Sequence, residues 1–216
     1  MCMTTTPATT CTADVDVEIT DVAFGGDGVG RADGCVTFVP FTLPGERVRA
    51  RIVKRKHRFM FAEPVEILQP SPQRAAPFCP HFTQCGGCQY QHVAYDEQLR
   101  LKHKQLADIL ERLGGFSSDL PLAPMLPSPR QTRYRNRIDL HPAASGEYGF
   151  CVRKRPREIF ALHDCPLFEL EQDFSAYPLR RPAQLLVVRT HSGAPYCYFK
   201  DDHNNVTSGA FDAASQ

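Results

Sequence analysis

The chain has 216 residues, 42% of them apolar, and its 25 Lys and Arg nearly balance its 24 Asp and Glu to leave a formal net charge of +1. That length suits one large domain or two small ones, and that apolar share suits a folded core. The near-zero charge hides any local polarity, no apolar run approaches the ~18 residues of a membrane span, and the opening MCMTTTPATTCTAD has neither the basic nor the apolar segment of a secretory signal. The expectation is a cytoplasmic protein without a membrane partner, beginning with a disordered polar tail over residues 1–13.

Residues 14–68 read as short strands. VDVEI (15–19) alternates apolar and acidic positions, CVTFVPF (35–41) is strand-like, and RVRARIV (47–53) alternates strictly. In that run Val48, Ala50 and Ile52 face one way and Arg47, Arg49 and Arg51 the other. FMFAEPVEIL (59–68) closes the set. The glycine-rich FGGDGVGRADG (24–34) reads as a turn-rich connector. From Gly28 its glycines run G-x-G-x-x-x-G with no helix after them, so a phosphate-binding loop is excluded. The pattern predicts a five-stranded, OB-like closed barrel over 14–68.

QPSPQRAAPF (69–78) reads as a linker and a domain boundary. Residues 79–216 are expected to form a second, small α+β domain, which makes the whole mainly β with α. Within it, 94–115 has the strongest helical pattern of the chain. Leu99, Leu106, Leu110 and Leu113, broadened by Ile109, share one face. Arg100, Lys102, His103 and Lys104 occupy much of the rest, and Gly114 and Gly115 stop the helix. A second Pro-rich connector, 117–130, leads to strands at 134–142, at 148–154, from 158 to an end at Cys165-Pro166, at 184–190 and at 196–200, and the chain closes on a polar tail, SGAFDAASQ (208–216).

Nine cysteines, an odd number in a chain without a secretory signal, argue against a disulfide framework. Cys35, Cys151 and Cys197 lie in strand-like stretches and read as small buried hydrophobes. Cys2 and Cys11 lie in the tail. Cys79, Cys85 and Cys88 form a C-x5-C-x2-C loop around Gly86-Gly87, and Cys165-Pro166 offers a fourth thiol far downstream. Four such thiolates suit a [4Fe–4S] cluster or a structural zinc, and Cys85 with Cys88 also has the spacing of a redox pair. His81, His92 and His163 read as surface or loop residues, with a role as outer hydrogen-bond donors to the cysteine site as the alternative.

The basic residues gather in three runs. RVRARIVKRKHR (47–58) continues from Arg47, Arg49 and Arg51 into Lys54, Arg55, Lys56 and Arg58. RYRNR (133–137) sets Arg135 and Arg137 beside Tyr134, which could stack on a base, and VRKRPR (152–157) is the third. Segregated basic surface on a small barrel points to RNA as the partner. The plain alternative is a solvated strand face.

FGGDGVGR in a basic barrel, then CPHFTQCGGCQYQH, a long helix, YRNRIDL, YGF and DCPL, occur here in one order. From about residue 14 to 170 this resembles the N-terminal half of the bacterial 23S rRNA uracil-5 methyltransferases. The resemblance implies that 14–68 is a TRAM barrel, and that Cys79, Cys85, Cys88 and Cys165 ligate a [4Fe–4S] cluster. It implies that both domains grip RNA, ribosomal by analogy, in an enzyme that forms 5-methyluridine. In that family S-adenosylmethionine and the nucleophilic cysteine of an S-C-N-P motif belong to a C-terminal Rossmann-like domain, and this sequence contains neither S-C-N-P nor a nucleotide motif. The expectation is the recognition part of such a methyltransferase, truncated before its catalytic domain and inactive unless joined to a catalytic half, which could be separately encoded. A free-standing iron–sulfur RNA-binding module is the alternative. A radical S-adenosylmethionine enzyme would call for C-x3-C-x2-C instead.

Overall fold

The structure is a computed structural model of the chain, and it describes residues 13–169 together with strand segments 184–189, 195–200 and 206–210. Eleven strands and one helix are defined among them: β1 (Asp14–Val22), β2 (Asp27–Ala32), β3 (Cys35–Pro40), β4 (Arg47–Arg55), β5 (Phe59–Gln69), α1 (Tyr95–Arg112), β6 (Arg137–Pro142), β7 (Tyr148–Val152), β8 (Arg155–Ala161), β9 (Gln184–Arg189), β10 (Pro195–Lys200) and β11 (Val206–Ala210). Strands β1 to β5 close into a barrel in the order β1-β2-β3-β5-β4. All neighbours are antiparallel except β3 and β5. Alternation fills its interior with Val17, Ile19, Ala32, Val39, Val48, Ala50, Ile52, Met60 and Ala62. Burying each larger side chain of that set is worth about 1.5–3 kcal/mol over leaving it in water.

The glycine-rich stretch read as a connector holds a strand as well as a turn. Gly25 and Gly26 make the turn at φ +103 and +99. Gly28 and Gly30 then run inside β2, and they are glycine for lack of room. A Cβ on Gly28 would stand 2.1 Å from Thr42 Oγ1, and one on Gly30 2.2 Å from the Glu18 carbonyl oxygen.

The compact units do not follow chain order. One holds residues up to Pro77 together with Gln89–Pro127, and the other holds Phe78–Cys88 and Ser128 onward. The stretch 69–78 is tied down for most of its length, so it does not behave as a free linker. Glu46, fully buried, accepts hydrogen bonds from the Ser71 N–H and the Leu43 N–H and holds the Arg74 guanidinium at 2.6 and 2.8 Å. The helix expected in the second domain packs on the barrel. The face it buries carries Glu97, Leu101 and Gln105, which lies opposite the leucine stripe at 100° per residue. Gln105 Nε2 donates to the Val22 and Ala23 carbonyls, and Lys104 Nζ reaches Asp21 at 2.8 Å. Leu106 and Leu113 stay exposed.

In the second unit a six-stranded sheet runs β11-β10-β9-β6-β7-β8. Its described core includes Ile138, Leu140, Tyr148, Leu162, Leu167 and Phe168. The strand expected from 158 to Cys165 begins at Arg155 and ends at Ala161, short of the turn that carries Cys165. The expected polar tail, 208–216, begins within β11, whose Ser208, Gly209 and Ala210 pair with β10. The tail at 1–12, with Cys2 and Cys11, lies outside the described residues, as does the side chain of Cys197.

Candidate functional site

The cysteine loop is laid along the β7–β8 hairpin. Cys85 forms an isolated bridge with Val152, the Gly86 N–H donates to the Cys151 carbonyl, and the Arg153 N–H donates to the Gln84 carbonyl. Within the loop Phe82 N–H bonds Cys79 O and Cys85 N–H bonds His81 O. The His81 ring lies 5.4 Å from that of Phe160. Thr83, a β-branched residue, is held at φ +78, a conformation that costs of order 1–3 kcal/mol and persists only under constraint from its surroundings.

Cys165 arrives from the other side on a tight turn closed by Phe168 N–H to Cys165 O. Arg133 fastens this turn. Its guanidinium grips Asp164 at 2.8 and 2.9 Å and donates to the carbonyls of Cys165 and Phe168. Arg133 itself sits at φ +51. Nothing in the run RYRNR sets it apart, since its partner is 31 residues downstream.

The four thiols Cys79, Cys85, Cys88 and Cys165 share one electrostatic neighbourhood. Cys85 feels the other three, and Cys79 and Cys165 each feel Cys88. Burial is the main reason that Cys79, Cys85 and Cys165 are pushed above the ordinary thiol range. Backbone N–H groups oppose it, aimed at sulfur from His81 and Phe82 on Cys79, from Gly87 on Cys85 (3.4 Å), and from Leu167 and Phe168 on Cys165. Arg135 also lowers Cys165, so this residue, expected on an RNA surface, stands beside the cysteine centre. Among the described residues no three His, Cys, Asp or Glu converge as the ligands of one metal ion. His163 faces Glu147 at 3.9 Å, and His92 is buried in the barrel unit.

The barrel's basic strand is not a bare cationic face. The β1–β4 register sets Asp14 opposite Arg51, Asp16 opposite Arg49 and Glu18 opposite Arg47. Arg51 holds Asp14 at 2.8 and 3.0 Å, Arg47 holds Asp16 at 3.0 Å, and Arg49 reaches Asp16 at 3.3 Å and Glu66 at 3.5 Å. The Arg51 hydrogen bonds draw Asp14 below the usual carboxylate range. Arg55 approaches Asp33 at 3.6 Å. Lys54, Lys56 and Arg58 are exposed and make no ion pair among the described residues. In the other unit Tyr134 is half-exposed, and Arg137 turns to Asp139 at 3.5 Å.

Residues 13–65 match the TRAM domain family. The chain is 36% identical over 178 residues to a protein of Halalkalibacterium halodurans named only as an RNA methyltransferase, a match covering 81% of this chain and 38% of that one. It is 40% identical over 157 residues to a likewise named protein of Synechocystis, covering 71% and 34%. Its fold is shared with the crystal structure of a Pyrococcus abyssi tRNA (uracil-54, C5)-methyltransferase in complex with S-adenosyl-L-homocysteine, at TM-score 0.57 and 22% identity over 92% of this chain and 47% of that one. The matches span about a third to two fifths of these two relatives' length.

Proposed function

We propose, for a chain that belongs with the TRAM-containing RNA methyltransferases over most of its length, that these 216 residues are the RNA-recognition part of an S-adenosylmethionine-dependent uracil-5 methyltransferase. In this reading they are braced by a [4Fe–4S] cluster on Cys79, Cys85, Cys88 and Cys165. The barrel engages RNA, ribosomal RNA by analogy, and the second unit holds the cluster. Methyl transfer belongs to residues of a kind this sequence does not contain, since it has no S-C-N-P motif.

One observation carries the cluster: the cysteine loop and the Cys165 turn, 77 residues apart, bring four thiols within electrostatic reach of one another, with backbone N–H groups aimed at three of the sulfurs. N–H donors of this kind stabilise thiolate over thiol, which is what a metal-bound sulfur requires. Cys79, Cys85, Cys88 and Cys165 would hold the group through their sulfurs, with a zinc ion as the competing occupant. When bound, the cluster supplies a covalent cross-link between the two segments. Arg133, Asp164 and the Gly86–Cys151 contact position those segments from the protein side.

The experiment is anaerobic purification followed by iron, sulfide and zinc analysis. About four irons and four labile sulfides per chain are expected. Stoichiometric zinc without sulfide would overturn the cluster. In the same preparation, RNA binding without methylation is expected, and turnover by these residues alone would refute the assignment of methyl transfer elsewhere.

A further inference from the structure

Three phenylalanines that the core does not use stand together on the outside of the barrel. Inward positions of β3 and β5 are taken by Val39, Met60 and Ala62, so alternation turns Phe38, Phe59 and Phe61 outward. The parallel β3–β5 pairing puts Phe38 directly beside Phe61 and Val36 beside Phe59. The rings are in mutual contact, with centroids 5.9 Å apart for Phe38–Phe59, 5.5 Å for Phe38–Phe61 and 5.4 Å for Phe59–Phe61. None is fully buried.

Cations border the patch along one side. A register shift after Ile52 brings Lys54 opposite Phe61, and the β4–β5 turn then delivers Lys56 and Arg58 immediately before Phe59. These are the same three cations that no carboxylate neutralises among the described residues. On the next strand Arg31, exposed, lies opposite Val36 and donates to the Gly34 carbonyl. The carboxylate at the following outward position of β5, Glu63, lies opposite Arg51 in the arginine ladder.

We infer that Phe38, Phe59 and Phe61 form a stacking platform for unpaired bases of single-stranded RNA, with Lys54, Lys56 and Arg58 tracking its phosphates. Aromatic faces beside free cations are the arrangement that single strands bind, because every base offers a π-face and every linkage a charge. A partly exposed apolar patch with a row of cations fits a protein partner less well, since the cations would need acids of matching spacing. The inference rests on the RNA-binding reading above and assigns its contact surface, away from Arg47, Arg49 and Arg51, which are held by acids.

The chain contains no tryptophan, so Phe59→Trp gives a single-tryptophan protein whose fluorescence reports on this patch alone. Titrated with a single-stranded RNA oligonucleotide, its emission should be quenched with the same midpoint as binding followed by RNA anisotropy. Inorganic polyphosphate should occupy the cations without quenching. Phe59→Leu, which keeps the site apolar, should weaken RNA binding by about 5- to 100-fold at unchanged salt dependence. Replacing Lys54, Lys56 and Arg58 by Gln should flatten the slope of log K against log salt by about 2. RNA binding with no quenching and no loss in Phe59→Leu would overturn the platform and leave the RNA-binding reading in place. A folded wild-type chain that binds no RNA would overturn both.

Discussion

His92 lies 2% exposed beside Phe41, with ring centroids 6.0 Å apart, near the buried Glu46 carboxylate and its partly exposed partner Arg74. Burial, with the charge of Arg74, pushes its pKa down to about 4, against the pull of Glu46 and the Thr42 backbone. In the unfolded chain the imidazole titrates near 6.5, so between about pH 6.5 and 4 the unfolded state binds the additional proton. Stability is then full above pH 6.5 and is lost as pH falls through that window. The loss should reach about 2 kcal/mol by pH 5. Glu46 acts in a lower window. Burial would raise its carboxyl, but Arg74 and the Leu43 and Ser71 N–H groups outweigh burial and hold it below the ordinary value, so its contribution fades only on further acidification. Denaturant unfolding followed through the barrel unit at pH 7 and pH 5 should show the difference, and His92→Phe should remove most of it. Equal pH dependence in wild type and variant would refute the assignment. None of this was legible in the sequence, where His92 reads as a loop residue flanking cysteines. Its surroundings come from far along the chain: Phe41 beside its ring, and Glu46 paired with Arg74 across 28 positions.

At the level of elements, the barrel is set by how closely β1 and β2 approach. Gly30→Ala would place a methyl against the Glu18 carbonyl and Val17 Cγ1, 2.2 and 2.5 Å from its ideal position. Backbone on one side and a core side chain on the other leave it nowhere to go. A loss of roughly 2–3 kcal/mol in barrel stability is expected. Gly34 is the comparison, at φ +71 with open space around it. Gly34→Asn should cost only a few tenths of a kcal/mol, since Asn tolerates that region. Thermal unfolding of the two variants checks this, and equal effects would contradict the steric account. The alternation of β1, β4 and β5 was readable because period 2 is a local property. The partner of each arginine was not: Asp14, Asp16 and Glu66 become neighbours only through register, so a run that reads as a cationic face folds into a ladder of alternating sign. The helix misleads in a related way. Its leucines mark a face by composition, yet the barrel takes the opposite face, where Gln105 meets the Val22 and Ala23 carbonyls and one leucine, Leu101, supplies the apolar contact. No hydropathy pattern encodes a demand for an amide at the mouth of a strand turn.

At the scale of the whole molecule, Cys79, Cys85, Cys88 and Cys165 and the segments that carry them all fall in the second unit, even though the chain leaves that unit after Cys88 and returns at Ser128. The intervening stretch through Pro127 belongs to the barrel unit, where Val93 and Leu101 pack with Val22 and Leu43. A cluster on the four thiols would therefore cross-link within one unit and leave the barrel's own contacts untouched. Closing a loop from Cys88 to Cys165 is worth about 3–4 kcal/mol on a chain-entropy argument, less than for a free chain of that length because part of the loop is already folded on the barrel. Cys88→Ser should strip the iron, lower the midpoint of the second unit's unfolding transition, and leave the barrel transition where it was. Cys151 serves as the control: it lies on β7, and its carbonyl, not its thiol, meets the cysteine loop. Cys151→Ser should keep its iron and both transitions. Hydrogen exchange on anaerobic protein, resolved by segment, separates the two units within the intact chain. Loss of protection confined to 78–88 and 128–169 in Cys88→Ser is the expected result. Equal loss across β1 to β5 would mean that the barrel depends on the cluster and would refute the prediction.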